Sequence, residues 1–216
     1  MGAVGTLARY TGRDRKLLPA RTAVLVVDVQ NAEISPAVEA SHPWFHDRVL
    51  NHAVPNIERL ISAARAAGVE VIYTVIESLT RDGRDRSLDH KLSNIHVPKG
   101  SDLAKIIDAV APIGDEIVLP KSSSGVFNST MLDYVLRNIG IENVIVAGFL
   151  TDQCIDMAIR DGADRGYYMI CASDCCTSYS QSRHDNALIA FGGYCRTQTV
   201  DEILADFVET RGDAAE

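Results

Sequence analysis

Short runs of Val, Ile and Leu alternate with amphipathic stretches from one end of this chain to the other, and few folds accept that rhythm. The runs are TAVLVVDV near 22–29, VEVIYTV near 69–75, DEIVLPK near 115–121, ENVIVAGF near 142–149 and GYYMICASD near 166–174. They are strand-length and apolar at consecutive positions, as a strand buried on both faces must be. Helical spacing predicts helices near 50–67, 102–110, 129–139, 152–164, 183–191 and 201–210. Gly68, Gly140 and Gly166 each stand just past a helix, where a left-handed cap is wanted. Strand, helix, strand in this order requires a parallel sheet with right-handed crossovers and helices on both faces. A weaker strand near 196–200 adds an edge, and 31–49 and 77–101 are expected to be irregular loops long enough to carry an active site.

In such sheets ligands bind beyond the carboxyl ends of the strands, where strand order reverses. Asp28 closes AVLVVD, Lys121 follows EIVLP, and Cys154 opens the helix after NVIVAGF. Each alone has an ordinary reading: a loop-capping aspartate, a surface lysine, an inert thiol. Together they offer a nucleophile, a base to take its proton and a cation to hold the resulting charge. In GFLTDQCIDMAIRD, Thr151 or Asp152 is the expected N-cap, and Ile155, Ala158, Ile159 and Gly162 form the buried stripe. Cys154 falls outside that stripe, in a first turn whose free N–H groups and positive dipole favour a thiolate.

Composition removes several other functions. The chain has 216 residues, the length of one large domain, and 21 basic against 29 acidic side chains, a net charge of −8. Nucleic acid is therefore not an expected partner. No apolar run approaches the roughly 18–20 residues that span a bilayer, and MGAVGTLARY lacks the layout of a secretory signal. A protein of the cytoplasm without membrane contact is expected. The five cysteines (Cys154, Cys171, Cys175, Cys176 and Cys195) are odd in number, without C-x-x-C spacing, and read as reduced thiols. No G-x-G-x-x-G or Walker loop and no three-histidine set appears, so neither a cofactor nor a metal is expected.

From AVLVVDVQN through DEIVLPKSSSGVFNST to VIVAGFLTDQCIDMAIRDGADRGY and DCCTSYSQSRHDNALIAF, the chain resembles the isochorismatase-like cysteine hydrolases over nearly its whole length. The resemblance implies a single-domain α/β fold over 1–216, with 1–20 an N-terminal extension: a Rossmann-like three-layer sandwich with a mostly parallel sheet of about six strands. It implies a catalytic triad of Asp28, Lys121 and Cys154. It further implies a cis peptide bond before the catalytic turn, placed at Leu150–Thr151, and an oxyanion hole from the N–H groups of Thr151 and Cys154. Members that keep the cysteine hydrolyse C–N bonds of small amides or ureido compounds, whereas true isochorismatases cleave a vinyl ether and typically lack it. Nicotinamidase-like members carry a D-x-H metal set where this chain reads IESLTRDGRDRSLDHKL, which argues against a metal and against nicotinamide.

The implied partner is a small-molecule substrate, with homo-oligomerisation, as a dimer or tetramer, common in such proteins. For substrate contacts Gln30 offers its amide, or is a structural loop glutamine. Phe127 and Asn128 line the cleft, or serve as a hydrophobic anchor and an N-cap. Tyr179, Gln181 and Arg183 follow the fifth strand, and Arg81, Arg84 and Arg86 offer charge to a substrate carboxylate or a neighbouring subunit. Isochorismatase-type cleavage of a vinyl ether is the second enzyme reading, and a thiol-based redox sensor and a non-catalytic binding protein are the readings from other classes.

Overall fold

The computed structural model describes residue 13 and residues 15–213, with side chains to 208. Most of the expected N-terminal extension, residues 1–12 and 14, lies outside the described part. Six strands, β1 (Thr22–Val27), β2 (Glu70–Ile76), β3 (Ile117–Lys121), β4 (Asn143–Phe149), β5 (Tyr168–Thr177) and β6 (Cys195–Gln198), form one sheet in the order β3-β2-β1-β4-β5-β6. All pairings are parallel. Strand order reverses between β1 and β4, which fixes the position of the ligand crevice.

The helices are α1 (Pro36–Ser41), α2 (Pro43–Arg48), α3 (Val54–Ala67), α4 (Leu88–Leu92), α5 (Val126–Ser129), α6 (Leu132–Asn138), α7 (Asp156–Asp164), α8 (Gln181–Phe191) and α9 (Val200–Asp213). The three layers follow from alternation along the strands. In β1, Val24 and Val26 join Ile57 and Leu60 of α3 and Ile203 and Phe207 of α9 on one face. Ala23, Leu25 and Val27 join Leu132 and Leu136 of α6, Ile159 of α7 and Phe191 of α8 on the other. Both faces are covered, so successive residues of β1 are all buried, the pattern that made the run legible. Gly68, Gly140 and Gly166 have φ of +74°, +78° and +93° at the ends of α3, α6 and α7.

Two expectations about local structure are corrected. The predicted helix over 102–110 is a pair of 3-10 turns, Asp102–Ala104 and Asp108–Val110. Its apolar residues meet separate partners: Gln30 pairs with Ile106 and binds the Leu103 carbonyl, while Ile107 donates to Val29, and these cross-links hold the segment open. The 31–49 stretch is not irregular but runs through a 3-10 turn, α1 and α2. Prolines open both helices, and Ser35 caps α1 by accepting from the Val38 N–H at 3.4 Å.

Candidate active site

The crevice is built from three strand ends. At the end of β1 the backbone turns through a left-handed residue, Asp28, with φ +57°. Its N–H stays on the Thr74 carbonyl of β2 at 2.9 Å while Thr74 Oγ1 donates to the carboxylate at 3.2 Å. Lys121, the last residue of β3, is fully buried and reaches across β2 to place Nζ 2.8 Å from Asp28 Oδ2. This is a charge contact rather than an aligned hydrogen bond, so Oδ2 keeps an unspent acceptor site. Nζ also donates to the Ser123 carbonyl at 2.9 Å and to Cys154 Sγ at 3.4 Å. Three residues nearly 130 positions apart in sequence thus meet around one ammonium.

Cys154 sits in a wide, π-type turn, Thr151–Ile155, that precedes α7. The Leu150 carbonyl accepts from Gln153 N–H at 3.0 Å and from Ile155 N–H at 3.2 Å, so the turn holds five residues where an α-turn holds four. The extra residue swings the sulfur toward Lys121 while Ile155, Ala158, Ile159 and Gly162 keep the buried stripe. Asp152 fastens the turn by accepting from Arg183 Nε at 2.5 Å and from Ser178 Oγ. Thr151 Oγ1 meets His184 Nδ1 at 2.8 Å.

Several site expectations change here. The N-cap is Leu150, not Thr151 or Asp152, and the cis peptide bond joins Phe149 to Leu150, one residue before the expected Leu150–Thr151. β4 ends at Phe149, as the run ENVIVAGF suggested, and the turn starts at Thr151, which leaves Leu150 as its N-cap. The thiol is also not favoured as an anion at rest. Burial pushes Cys154 up to about 12, against the pull of the Lys121 ammonium, and the Asp28 carboxylate pushes further in the same direction. Desolvation outweighs the helix end because Cys154 is buried, whereas a dipole effect of under about 2 kcal/mol assumes exposure or partial burial. For Lys121, burial opposes the charge, yet Asp28 and then Cys154 hold its pKa above the usual value. At rest, therefore, Lys121 is an ammonium and Cys154 a neutral thiol.

Of the expected substrate contacts, only Tyr179 reaches the crevice. A cavity of about 570 Å³ lies between Ser124, Asp152, Gln153, next to Cys154 in the chain, and Tyr179 on one side and the α4 segment at Asp89, Ser93 and Ile95 on the other. Tyr179 is fixed by stacking on His42 at 4.0 Å and by the edge of Phe45 at 5.3 Å. Gln30 has the structural role: its amide donates to the carbonyls of Ile76 and Leu103 and accepts from Ile76 N–H at 2.6 Å, clamping the end of β2. Phe127 is a buried anchor stacked on Tyr167 at 5.9 Å, and Asn128 is exposed and donates to Asp161 of α7 at 3.3 Å. Gln181 is exposed on α8, bonded to Asp185, beside a separate depression near Arg48 and His184. Arg84 pairs with Asp82, and Arg86 donates to the carbonyls of Gly83 and Ile95. A further cavity of about 410 Å³ lies at the opposite end of the sheet, around Arg15, Tyr168 and Arg196.

Three residues beside the triad were not anticipated. Thr74 was legible as the one aliphatic hydroxyl inside VEVIYTV. His90 is buried on α4, with Nε2 3.4 Å from Ser124 Oγ, and burial followed by the charge of Lys121 lowers its pKa. Glu33, on the 3-10 turn Asn31–Ile34, senses both Asp28 and Lys121. Burial, then repulsion from Asp28, opposed by Lys121, pushes it up to about 7. Its proton is held more tightly folded than unfolded, so folding free energy is fully favourable below the unfolded pKa and is lost as pH rises from about 4.5 to about 7. Glu33→Gln should therefore raise the melting temperature at pH 8, by about 1–3 kcal/mol of stability after discounting for partial exposure, and leave it unchanged at pH 4. Equal effects at both pH values in thermal unfolding would refute the shift.

No cluster of three metal-ligating side chains occurs among the described residues, and none of the described helices is long and apolar enough to cross a membrane.

Comparison with known proteins gives the family and the fold. The Isochorismatase domain model matches residues 22–200, from the start of β1 to the start of α9. The chain belongs to the isochorismatase family. Among its relatives, the ureidoacrylate amidohydrolase RutB of Serratia proteamaculans (strain 568) is 31% identical over 172 residues, 72% of this chain and 69% of that protein. The crystal structure of a cysteine hydrolase from Pseudomonas syringae pv. phaseolicola 1448A superposes with a TM-score of 0.78 at 27% identity, covering 91% of this chain and 96% of that one. N-carbamoylsarcosine amidase from Thermoplasma acidophilum gives 0.67 at 25% identity, covering 84% and 97%. This isochorismatase-family chain thus shares its six-stranded parallel α/β fold with its structural neighbours.

Proposed function

We propose that this chain is an amidohydrolase that cleaves the C–N bond of a small amide, carbamoyl or ureido compound, with Cys154 as nucleophile and a thioester as intermediate. The observation that carries the reading is the single buried ammonium of Lys121, 2.8 Å from a carboxylate with an unspent acceptor and 3.4 Å from the thiol. Relatives named for ureidoacrylate and for N-carbamoylsarcosine support the bond class.

The resting charges dictate the order of events. Because the thiol is neutral at rest, the proton moves when substrate arrives: Asp28 takes it from Cys154, and Lys121 holds the sulfur's new charge. The thiolate adds to the carbonyl carbon. The oxyanion is met by backbone N–H groups opening the turn, those of Thr151 and Cys154 being the candidates. As the C–N bond breaks, Asp28 returns the proton to the departing nitrogen. The carboxylate then deprotonates a water that attacks the thioester, and the proton finally passes back to the sulfur.

Cys154→Ala is expected to lower ammonia release by a factor of about 10⁴ or more while leaving the thermal unfolding curve nearly in place. The measurement is a screen of carboxamides, carbamoyl amino acids and ureas for ammonia, with the alanine protein as control. Ammonia released equally by both proteins would overturn the mechanism, as would pyruvate from a vinyl ether in place of ammonia.

A further inference from the structure

The cavity at the amino end of the sheet takes no part in the reaction proposed above, and its lining has a chemistry of its own. It measures about 410 Å³ and lies where β5 and β6 begin, at Tyr168 and Arg196. The described residues that line it include three arginines, Arg13, Arg15 and Arg196, and no carboxylate, in a chain whose net charge is −8. The cavity at Ser124 and Tyr179 is the reverse: its described lining holds Asp89, Asp152 and Asp156 and no basic residue. An anion therefore has a reason to choose the amino end. The guanidinium groups there are held in place before any ligand arrives. Arg15 Cζ lies 4.0 Å from the centre of the Tyr168 ring, and its Nη2 donates to Glu142, which also accepts from Arg21. One carboxylate thus balances two guanidinium groups. Arg196 donates through Nη1 to the Arg15 carbonyl at 3.5 Å and stands 3.6 Å from Asp206 Oδ2, with 16% of its side chain exposed. Glu142 and Asp206 both lie outside the lining.

A guanidinium fixed by a ring, a carboxylate or a backbone carbonyl loses little freedom on binding, and its planar fork offers paired donors to an oxyanion. The rest of the wall is different in kind. Tyr168 and Tyr194 add aromatic surface, and Tyr194 is itself steadied by the Arg160 guanidinium at 5.0 Å from its ring centre. A concave site of this size with a charged end and an aromatic wall suits a small ligand with an apolar body. We propose that this cavity is a second binding site, for a small aromatic oxyanion: a flat ring that carries a carboxylate or a phosphate. The oxyanion meets Arg15 and Arg196, and the ring lies among the tyrosines. The site shares no lining residue with the cavity at Ser124 and Tyr179, so it stands apart from the amidohydrolase reading.

Phenyl phosphate, benzoate, inorganic phosphate and benzyl alcohol separate the charge from the ring. Their binding to the unmodified protein is measured by calorimetry at pH 8 and low salt. The better of phenyl phosphate and benzoate is expected to bind at least about tenfold more tightly than inorganic phosphate and than benzyl alcohol, and its identity names the oxyanion. Arg15→Gln and Arg196→Gln should each weaken that ligand by about tenfold or more, whereas Arg15→Lys, which keeps the charge and loses the fork, should retain part of the affinity. Arg15 has 31% of its side chain exposed, so its variants give a reading even where Arg196→Gln unfolds. Cys154→Ala should bind as the unmodified protein does. No binding of either ring-bearing anion, equal binding by benzyl alcohol or by inorganic phosphate, or an affinity untouched by Arg15→Gln would overturn the proposal. Binding lost with Cys154→Ala would place the ligand in the crevice and overturn it as well.

Discussion

Lys121→Met is expected to cost about 3–5 kcal/mol of stability and to abolish turnover, both for one reason. The ammonium is buried at the end of β3, where Thr74 Oγ1 also donates to Asp28. Methionine matches the lysine stem in volume, so packing changes little, but Asp28 is left as a buried charge without its counter-ion. The double variant Asp28→Asn, Lys121→Met removes both charges and should regain most of the lost stability, because a neutral amide still accepts from Thr74. Catalysis should not return, since the proposed base and the proposed cation are both absent. Denaturant unfolding of the three variants gives a coupling energy, expected to exceed about 2 kcal/mol. Additive losses in that cycle would mean that the two charges do not stabilise each other.

Gly148→Ala is expected to be nearly as damaging without touching a reacting group. Gly148 has φ +124°, and a Cβ there would lie 2.0 Å from the Val27 carbonyl oxygen and 2.8 Å from the Val27 carbonyl carbon. Both obstacles are backbone of the neighbouring strand, so β1 and β4 must part. They must part between Val27, which precedes Asp28, and Phe149, which leads into the turn that carries Cys154. A loss above about 3 kcal/mol is expected, with kcat/KM falling by about 10² or more, since a misplacement of about 1 Å costs that much. Gly114→Ala is the control: φ is +60° there but a Cβ meets nothing within 4 Å. It should cost about 1–2 kcal/mol and leave kcat/KM unchanged. Equal losses from the two alanines would mean that backbone conformation, not strand contact, dominates at Gly148.

What could be read directly from the residues, and what could not, separates along one physical line. A strand buried on both faces must be apolar at every position, so β1, β2, β4 and β5 announced themselves, and their alternation with amphipathic helices fixed a parallel α/β sheet. Ionisable residues at strand ends stand out against such runs, which is why Asp28, Lys121 and Cys154 were visible. Side chains that finish long-range contacts carry no such mark. Gln30, two residues after Asp28, read equally as a substrate ligand or a structural glutamine; what decides is that its amide is consumed by backbone of β2 and of the 102–104 turn, partners far away in the chain. Phe127 and Asn128 follow Lys121 closely and still pack against Tyr167 and α7 rather than the crevice. The 102–110 segment has helical spacing, yet cross-links to Val29 and Gln30 keep it in separate turns.

The order of residues therefore settled the fold class and the three strand ends, because burial on two faces and helix periodicity are local constraints that each segment obeys alone. The protonation state of Cys154, the clamp role of Gln30 and the contact of buried His90 with Ser124 depend on desolvation and on contacts between segments distant in the chain. Those are properties of the assembled crevice, and they exist only once the sheet has brought its strand ends together.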